Sequence, residues 1–275
     1  MKTLLLLAGR SRRFWPLAEK TLFPVCGKTL LEHQVERLRA GGCDEVILVG
    51  GAHNLEGARV VCPDLELIEQ EDLELGMRGA LLSALPKVSG ASVMIVGGND
   101  VIEPSGYQAV IDAAKNVDGA LLAYKVDRYF QGGYLTVEGA KITGIVEKPG
   151  EGTEPSDLVN IVAHVHNDPA SLLAALSAVD ESHDDGYEQA LDALFKDKTY
   201  NAAPYDGAWY PVKYPWHMLP LLEHLLGSIE KQQIHKSASV HSTAIIDGNV
   251  VIEEGARVLE HATVRGPCTI GKRAI

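Results

Sequence analysis

The C-terminal stretch of this chain allows few folds. Ile234, Val240, Ile246, Ile252, Val258, Val264 and Ile270 follow one another at a spacing of six without a break. Ala238, Ala244, Ala256, Ala262 and Cys268 each stand two places before one of these aliphatics. If about a quarter of residues qualify, such a run arises by chance about once in ten thousand trials, so the repeat is real. It reads as the hexapeptide repeats of a parallel β-helix, with each aliphatic pointing inward from a short flat strand. The repeats make a little over two coils, and the chain stops at Ile275, inside the next one, with no polar cap. The expectation is a chain truncated from a longer one, with residues 1–227 as a first domain and 228–275 as the repeat segment.

The first domain opens on Leu4 to Leu7, an unbroken apolar run that reads as a strand buried on both faces and ends at Ala8-Gly9. The residues that follow carry Arg10, Arg12, Arg13, Lys20 and Lys28 against one acid, Glu19. Thr29 then opens a helix, with Glu32 placed for a capping box and Leu31, Val35 and Leu38 along one face. A cationic loop at the carboxyl end of a first strand in an α/β sheet predicts an anionic ligand such as a phosphate. The loop stands out because the whole chain is acidic, with a net charge of −12. That balance argues against a nucleic-acid surface. No apolar run reaches spanning length and no cleavage pattern precedes the first strand, so neither a membrane span nor a signal peptide is read. Cys26, Cys43, Cys62 and Cys268 are scattered. Scattered thiols suit a reduced, cytoplasmic protein better than a zinc site.

Further along, Glu45–Val49, Leu65–Ile68 and Ser92–Val96 read as strands, and Gly76–Leu85 as a helix. This alternation predicts a mostly parallel, doubly wound sheet. Segments 119–124, 133–137 and 142–146 lie too close together for helices between them and predict antiparallel strands in a lid or the second half of the sheet. Asp157–His166 begins as a strand. A helix starts at Asp185, with Tyr187, Ala190, Leu191, Leu194 and Phe195 on one face. Pro215 is placed to open a last helix ended by Gly227, with Pro220 kinking it or breaking its first turn.

Ala8-Gly9-Arg10-Ser11-Arg12-Arg13, Glu19-Lys20 and Pro24-Val25-Cys26-Gly27-Lys28 together resemble the signature of sugar-1-phosphate nucleotidylyltransferases, and in spacing the uridylyltransferase half of bifunctional N-acetylglucosamine-1-phosphate enzymes. The resemblance implies a Rossmann-like α/β fold with a doubly wound mixed sheet, followed by a short, truncated β-helix of the left-handed form. It implies transfer of a nucleotidyl group from a nucleoside triphosphate to a sugar 1-phosphate, releasing pyrophosphate. The expected substrates are UTP or dTTP with a glucose-type or N-acetylglucosamine 1-phosphate. By the same likeness Arg13 would stabilise the departing pyrophosphate and Lys20 the α-phosphate, with the backbone of Ala8 and Gly9 approaching the nucleotide. Gly76-Met77-Arg78-Gly79-Ala80 resembles the base-reading turn, with Gln70 as the glutamine, although Glu71 holds the usual place. Asp100 would bind Mg2+. Glu147 and Asn160 would meet sugar hydroxyls, Lys148 the sugar's phosphate, and Gly133-Tyr134 would pass over the sugar.

Four departures bear on activity. Ser11 replaces the second glycine, Arg12 the threonine and Glu19 the proline before the lysine. Pro211 stands where relatives carry a second metal ligand, leaving Asp206 or water to complete the shell. These departures keep open a rival of another class, a non-catalytic nucleotide-sugar sensor or regulatory subunit on the same fold. A structural β-helix trimer with a decorative head is a further rival, and a homo-oligomer through the β-helix is open to the chain. Similar bifunctional proteins carry an acyltransferase in the β-helix, for which this chain is expected to be too short. His164 and His166, two apart on one strand, read either as a metal pair or, preferably, as polar packing near the sugar pocket.

Overall fold

Strand β1 (Lys2–Leu6) is buried from Thr3 to Leu6, three of those four residues being leucine, because it runs between two parallel neighbours, with Leu4 in register with Ile47 on one side and Ile95 on the other. The computed structural model describes residues 1–7, 9–17, 19–88, 90, 92–179 and 185–275. After β1 come the hairpin strands β2 (Pro24–Val25) and β3 (Lys28–Thr29), then α1 (Leu30–Ala40), β4 (Glu45–Gly50), α2 (Ala52–Val61) and β5 (Glu66–Glu69). They are followed by α3 (Gly76–Ala84), β6 (Val93–Gly97), β7 (Asp100–Ile102) and α4 (Pro104–Ala113). Next come β8 (Gly119–Lys125), β9 (Gly133–Glu138), β10 (Lys141–Glu147) and β11 (Leu158–His166), with no helix among them. The series ends with α5 (Pro169–Ala178), α6 (Gly186–Asp197), β12 (Tyr200–Tyr205), β13 (Trp209–Pro211) and α7 (Met218–Gly227).

The chain divides into two compact units, Met1–Arg12 with Leu31–Pro211, and Arg13–Leu30 with Val212–Ile275. In the first unit the described residues form a nine-stranded mixed sheet in the order β5-β4-β1-β6-β11-β8-β12-β10-β9. Strands β5, β4, β1 and β6 are parallel, whereas β11 runs antiparallel to both β6 and β8. The segments read as close-set strands are β8, paired with β11 and β12, and the hairpin β9–β10; all three lie in this sheet rather than in a lid. Helices α3, α5 and α6 supply Leu81, Leu172, Leu176, Leu191 and Phe195 to one core against Leu4, Ile47, Ile95 and Leu121 of the sheet.

Helices α2, α4 and α5 were not foreseen. Gly57 and Gly106 interrupt the first two patterns. In α5 apolar side chains run almost all the way round, so the sequence shows no distinct buried face although Leu172 and Leu176 are the buried ones. Pro220 sits at the third position of α7, where its missing N–H would have had no partner in the helix, and a separate 3-10 turn over Pro215–His217 comes before it.

In the second unit Cys26 and Gly27 adopt φ of +47° and +79° between β2 and β3, the two positive values of a type I′ hairpin. Thr29 pairs with Pro24 in this hairpin, directly before α1. A β-carbon on Gly27 would lie 2.0 Å from Glu253 Oε1, so glycine is needed there for contact as well as conformation. The C-terminal strands pair in parallel eighteen residues apart: Gln233 with Val251, Ser239 with Arg257, Ile245 with Thr263 and Val250 with Cys268. Val250, Ile252, Ala256 and Val258 are buried at their centre, with Val240, Ile246, Val264 and Ile270 packed around them. All four cysteines are free thiols.

Ser11 takes φ +48°, the conformation for which glycine is usual. The side chain is tolerated at a cost in strain. Ser11→Gly is expected to raise stability by about 0.5–1 kcal/mol, read as a higher urea midpoint, and an unchanged or lower midpoint would show that Ser11 is not strained.

Candidate active site

The sheet reverses its winding at β1, which has β4 on one side and β6 on the other, and this is where an open α/β sheet forms a ligand crevice. Leu6 and Gly97, the last residues of β1 and β6, are in register. Gly98 N–H donates to the Leu6 carbonyl at 2.9 Å, and a β-carbon on Gly98 would lie 2.5 Å from that oxygen. The glycine lets the turn that carries Asp100 close against the end of β1. Asn54 of α2, which sequence reasoning missed, holds the other side: its Nδ2 donates to the Leu7 carbonyl at 2.7 Å while its Oδ1 accepts from Gly51 N at 3.1 Å. A β-carbon on Gly9 would meet nothing within 4 Å. Ala8 lies outside the described residues. The Arg10 guanidinium forms an ion pair with Glu74, so part of its charge is already answered inside the protein.

Asp100 begins β7 after the turn Gly98-Asn99, which absorbs the additional residue between Gly and Asp. Its carbonyl accepts from Gln34 Nε2 of α1 at 2.9 Å, and its Oδ1 accepts from the Trp209 indole N–H at 2.8 Å. Trp209 in turn packs on Phe130 and Tyr124, with ring centroids 4.8 and 5.2 Å away. This indole clamp was not read from the sequence. Pro211 faces Asp100 in the β7–β13 ladder, so the partner position offers no side-chain oxygen. Among the described residues no three of His, Cys, Asp and Glu gather as a ready-made metal cage. Mg2+ commonly takes one or two carboxylates and fills the rest of its shell with phosphate oxygens and water, so Asp100 can serve as one of them.

Gln70 is buried and Glu71 exposed. Gln70 Nε2 donates to the carbonyls of Asp72 at 2.6 Å and Gly76 at 2.9 Å, while its Oε1 is buried with no hydrogen-bond partner among the described residues. Gly76 adopts φ +53° and ψ −135°, open in practice only to glycine. A β-carbon on Gly79 would lie 2.6 Å from the Asp72 carbonyl, so Gln70 and the two glycines form one tight turn. Arg78 points elsewhere, donating to the Leu176 carbonyl at 2.8 Å.

Four residues named from the sequence come together on β9, β10 with the residue after it, and β11. A β-carbon on Gly133 would lie 3.1 Å from Glu147 Oε2 and 3.5 Å from Asn160 Nδ2. Lys148 Nζ stands 2.9 Å from Glu147 Oε1. Lys148 has φ +45°, and its N–H donates to the Gly132 carbonyl at 3.1 Å, which locks the end of β10 to the start of β9. A groove of about 460 Å³ beside Glu147 is lined also by Asp185, Glu188 and Asp192, and its charge is wrong for a phosphate.

Both histidines are fully buried, and their four ring nitrogens meet Asn160, Tyr187 and Tyr200. Polar packing, not a metal pair, is their role. Burial pushes His166 down to about 3, and burial first, with neighbouring His166 second, holds His164 well below the ordinary imidazole range.

Arg13 and Lys20 belong to the second unit. The Arg13 guanidinium lies 5.6 Å from the centroid of the Tyr214 ring, a cation–π distance, and Tyr214 stacks on Trp216. Lys20 is buried at the start of a 3-10 turn over Lys20–Leu22. Glu19 caps that turn, its carboxylate accepting from Thr21 N–H at 3.4 Å and Thr21 Oγ1 at 3.2 Å.

The profile of the MobA-like NTP transferase domain matches residues 3–242. The chain is 27% identical over 266 residues to the bifunctional protein GlmU of Methanococcus maripaludis, covering 93% of this chain and 61% of that protein. It is 25% identical over 263 residues to the bifunctional sugar-1-phosphate nucleotidylyltransferase/acetyltransferase of Sulfurisphaera tokodaii, covering 94% of this chain and 63% of the relative. The chain thus spans about three fifths of the length of these relatives. In fold it is similar to the UTP-bound UGPase of Acinetobacter baumannii (TM-score 0.69, 19% identity, 82% of this chain and 92% of that one). It is likewise similar to a putative glucose-1-phosphate thymidylyltransferase of Bacillus anthracis (TM-score 0.67, 17% identity, 85% and 98%).

Proposed function

The chain belongs to the MobA-like NTP transferase family, a family of nucleotidyltransferases, and from that premise we propose that it transfers a nucleotidyl group to a sugar 1-phosphate. The substrates proposed are UTP or dTTP and a glucose-type or N-acetylglucosamine 1-phosphate. Relatives named for sugar-1-phosphate nucleotidylyl transfer, and a fold neighbour that holds UTP, support this choice. The observation that carries the sugar half is the meeting of Glu147, Lys148 and Asn160 around Gly133. A carboxylate, an ammonium and an amide in one place suit a ligand that is part polyol and part phosphate.

In the reaction a sugar-phosphate oxygen attacks the α-phosphorus of the nucleotide. A new P–O bond forms, the bond to the bridging oxygen of the β-phosphate breaks, and pyrophosphate leaves with its electron pair. Two anions must be brought together, so binding and charge neutralisation are the main tasks of the protein. Arg13 is proposed to stabilise the departing pyrophosphate and Lys20 the α-phosphate. The backbone from Ala8 to Gly9 receives the nucleotide, and Gln70 with the Gly76 turn takes the base, its buried Oε1 suited to an imide N–H. Lys148 would give its charge to the sugar's phosphate, in exchange for part of its pair with Glu147. Asp100 is the residue proposed to hold Mg2+, which when bound supplies positive charge to the phosphate oxygens. Residues 1–227 would carry this chemistry, and the parallel ladders of 228–275 are read as a left-handed β-helix able to join copies of the chain.

Pyrophosphate release with Mg2+, across UTP, dTTP, ATP, CTP and GTP against glucose, N-acetylglucosamine, galactose and mannose 1-phosphates, tests the proposal. Release with a pyrimidine triphosphate and a glucose-type or N-acetylglucosamine 1-phosphate is expected. Pro211 opposite Asp100 favours one rival, a sensor that binds nucleotide-sugar without making it. Silence across the grid from folded protein that still binds nucleotide-sugar would decide for that sensor.

A further inference from the structure

Asn160 stands at the end of an unbroken buried chain of hydrogen bonds. Asn160 Oδ1 lies 2.5 Å from His164 Nε2, and His164 Nδ1 lies 2.7 Å from the Tyr187 hydroxyl. That hydroxyl is 3.0 Å from His166 Nε2, and His166 Nδ1 is 2.8 Å from the Tyr200 hydroxyl. Three elements contribute: β11 gives Asn160 and both histidines, α6 gives Tyr187 and β12 gives Tyr200. Every member but Asn160 is at most 2% exposed, and Asn160 is 8% exposed.

Such a chain has a direction, because each neutral imidazole has one donor and one acceptor nitrogen and each hydroxyl has one proton. The Tyr200 hydroxyl has a single hydrogen-bond partner among the described residues, His166 Nδ1, and a buried O–H proton left without an acceptor is costly. Tyr200 therefore donates to His166 Nδ1. His166 must then carry its proton on Nε2 and donate it to the Tyr187 oxygen. Tyr187 donates to His164 Nδ1, and His164 donates from Nε2 to Asn160 Oδ1. The amide's oxygen is occupied, and its NH2 faces the space over Gly133.

We propose that the Tyr200–His166–Tyr187–His164 chain is a positioning relay that fixes which end of the Asn160 amide is offered to the ligand, so that the site presents a hydrogen-bond donor there. The ligand group taken by Asn160 is accordingly an acceptor, a hydroxyl or amide oxygen of the sugar. The opposite polarity would turn Asn160 round and offer a carbonyl, at the cost of the Tyr200 proton. This inference rests on the proposed function only for the identity of the ligand; the direction of the relay stands on the side-chain hydrogen bonds and the Tyr200 proton, and the tautomer measurement below also decides whether the Ile161 carbonyl beside His164 takes its ring proton instead.

The first test is 15N NMR of histidine-labelled full-length chain at pH 7. Both His164 and His166 are expected as neutral Nε2–H tautomers. An Nδ1–H signal at either one overturns the relay whatever the enzyme does. The second test compares His164→Gln with His164→Asn, both polar and both imperfect in packing. The glutamine amide reaches the place of Nε2 and can still donate to Asn160, whereas the shorter asparagine matches Nδ1 and leaves Asn160 Oδ1 alone. With the NTP and sugar 1-phosphate that the wild type turns over, Asn is expected to raise the KM for the sugar 1-phosphate about tenfold and Gln less than threefold, with the KM for NTP unchanged in both. Equal sugar-phosphate KM values for the two variants, or a matching rise in the NTP KM, would remove the positioning role. A wild type with Nε2–H tautomers and no turnover would sink the proposed reaction while upholding the direction of the relay.

Discussion

Asp100→Ala is expected to lower pyrophosphate release by about two to three orders of magnitude, the usual cost of removing one group that stabilises charge in a transition state. The substitution should be selective because the fold holds Asp100 by its backbone. Its carbonyl keeps the bond from Gln34, and β7 keeps its ladder with β13. What is lost is the carboxylate and its bond from Trp209, worth about 1 kcal/mol of stability. With Pro211 opposite, the ladder holds no second carboxylate to take over. Rates should be compared at saturating substrates and at several Mg2+ concentrations, beside a urea midpoint. A near-normal rate from the folded variant would take Asp100 out of the site, and a collapsed midpoint would make its role structural.

The second large effect is acid destabilisation. His164 and His166 are held neutral by burial, His166 down to about 3. In the unfolded chain both titrate near the ordinary value of 6.5. Below that pH the unfolded state binds protons that the folded state refuses, so stability is complete above it and falls as the pH drops. The window runs from pH 6.5 down toward the folded value. His166 contributes about 2 kcal/mol of loss between pH 7 and 5, a sizeable part of a typical domain's stability, and His164 adds to the loss in the same direction. The groups around the rings are the hydroxyls of Tyr187 from α6 and Tyr200 from β12, the Asn160 amide and the Ile161 carbonyl, with Glu188 acting on Tyr187 and Asp118 and Asp168 on Tyr200. None of these is a buried carboxylate placed to welcome an imidazolium. Urea titrations from pH 7 to 5 read the slope directly. His166→Gln should cut it by the share that His166 contributes, and a flat wild-type profile would mean that the imidazoles find protons or water in the folded state.

Much of the candidate site was legible because its signals are local. Four apolar residues in a row followed by glycine mark a buried strand and the loop it empties into. The six-residue spacing likewise survives in the parallel ladders, whose partners stand eighteen residues, or three repeats, apart. Glu147-Lys148 and Asn160 were named from short motifs, and they do meet around Gly133. The departures from the motif were legible as departures, but not as roles. That Glu19 caps a turn, that Ser11 takes a positive φ, and that Cys26-Gly27 forms a type I′ turn depend on backbone angles that no residue type dictates by itself.

By itself the sequence determined the first strands of the sheet with helices α1, α3 and α6, the repeat, and the cationic stretch after β1, since periodicity and charge act between near neighbours. Only the tertiary structure decided that Trp209 clamps Asp100, that Asn54 braces the end of β1, and that two histidines join Asn160 to Tyr200. Those contacts span 109, 47 and 40 residues of chain (209 − 100, 54 − 7, 200 − 160). A buried donor must find an acceptor, but which one it finds is set by the sheet order and helix packing that bring distant segments together.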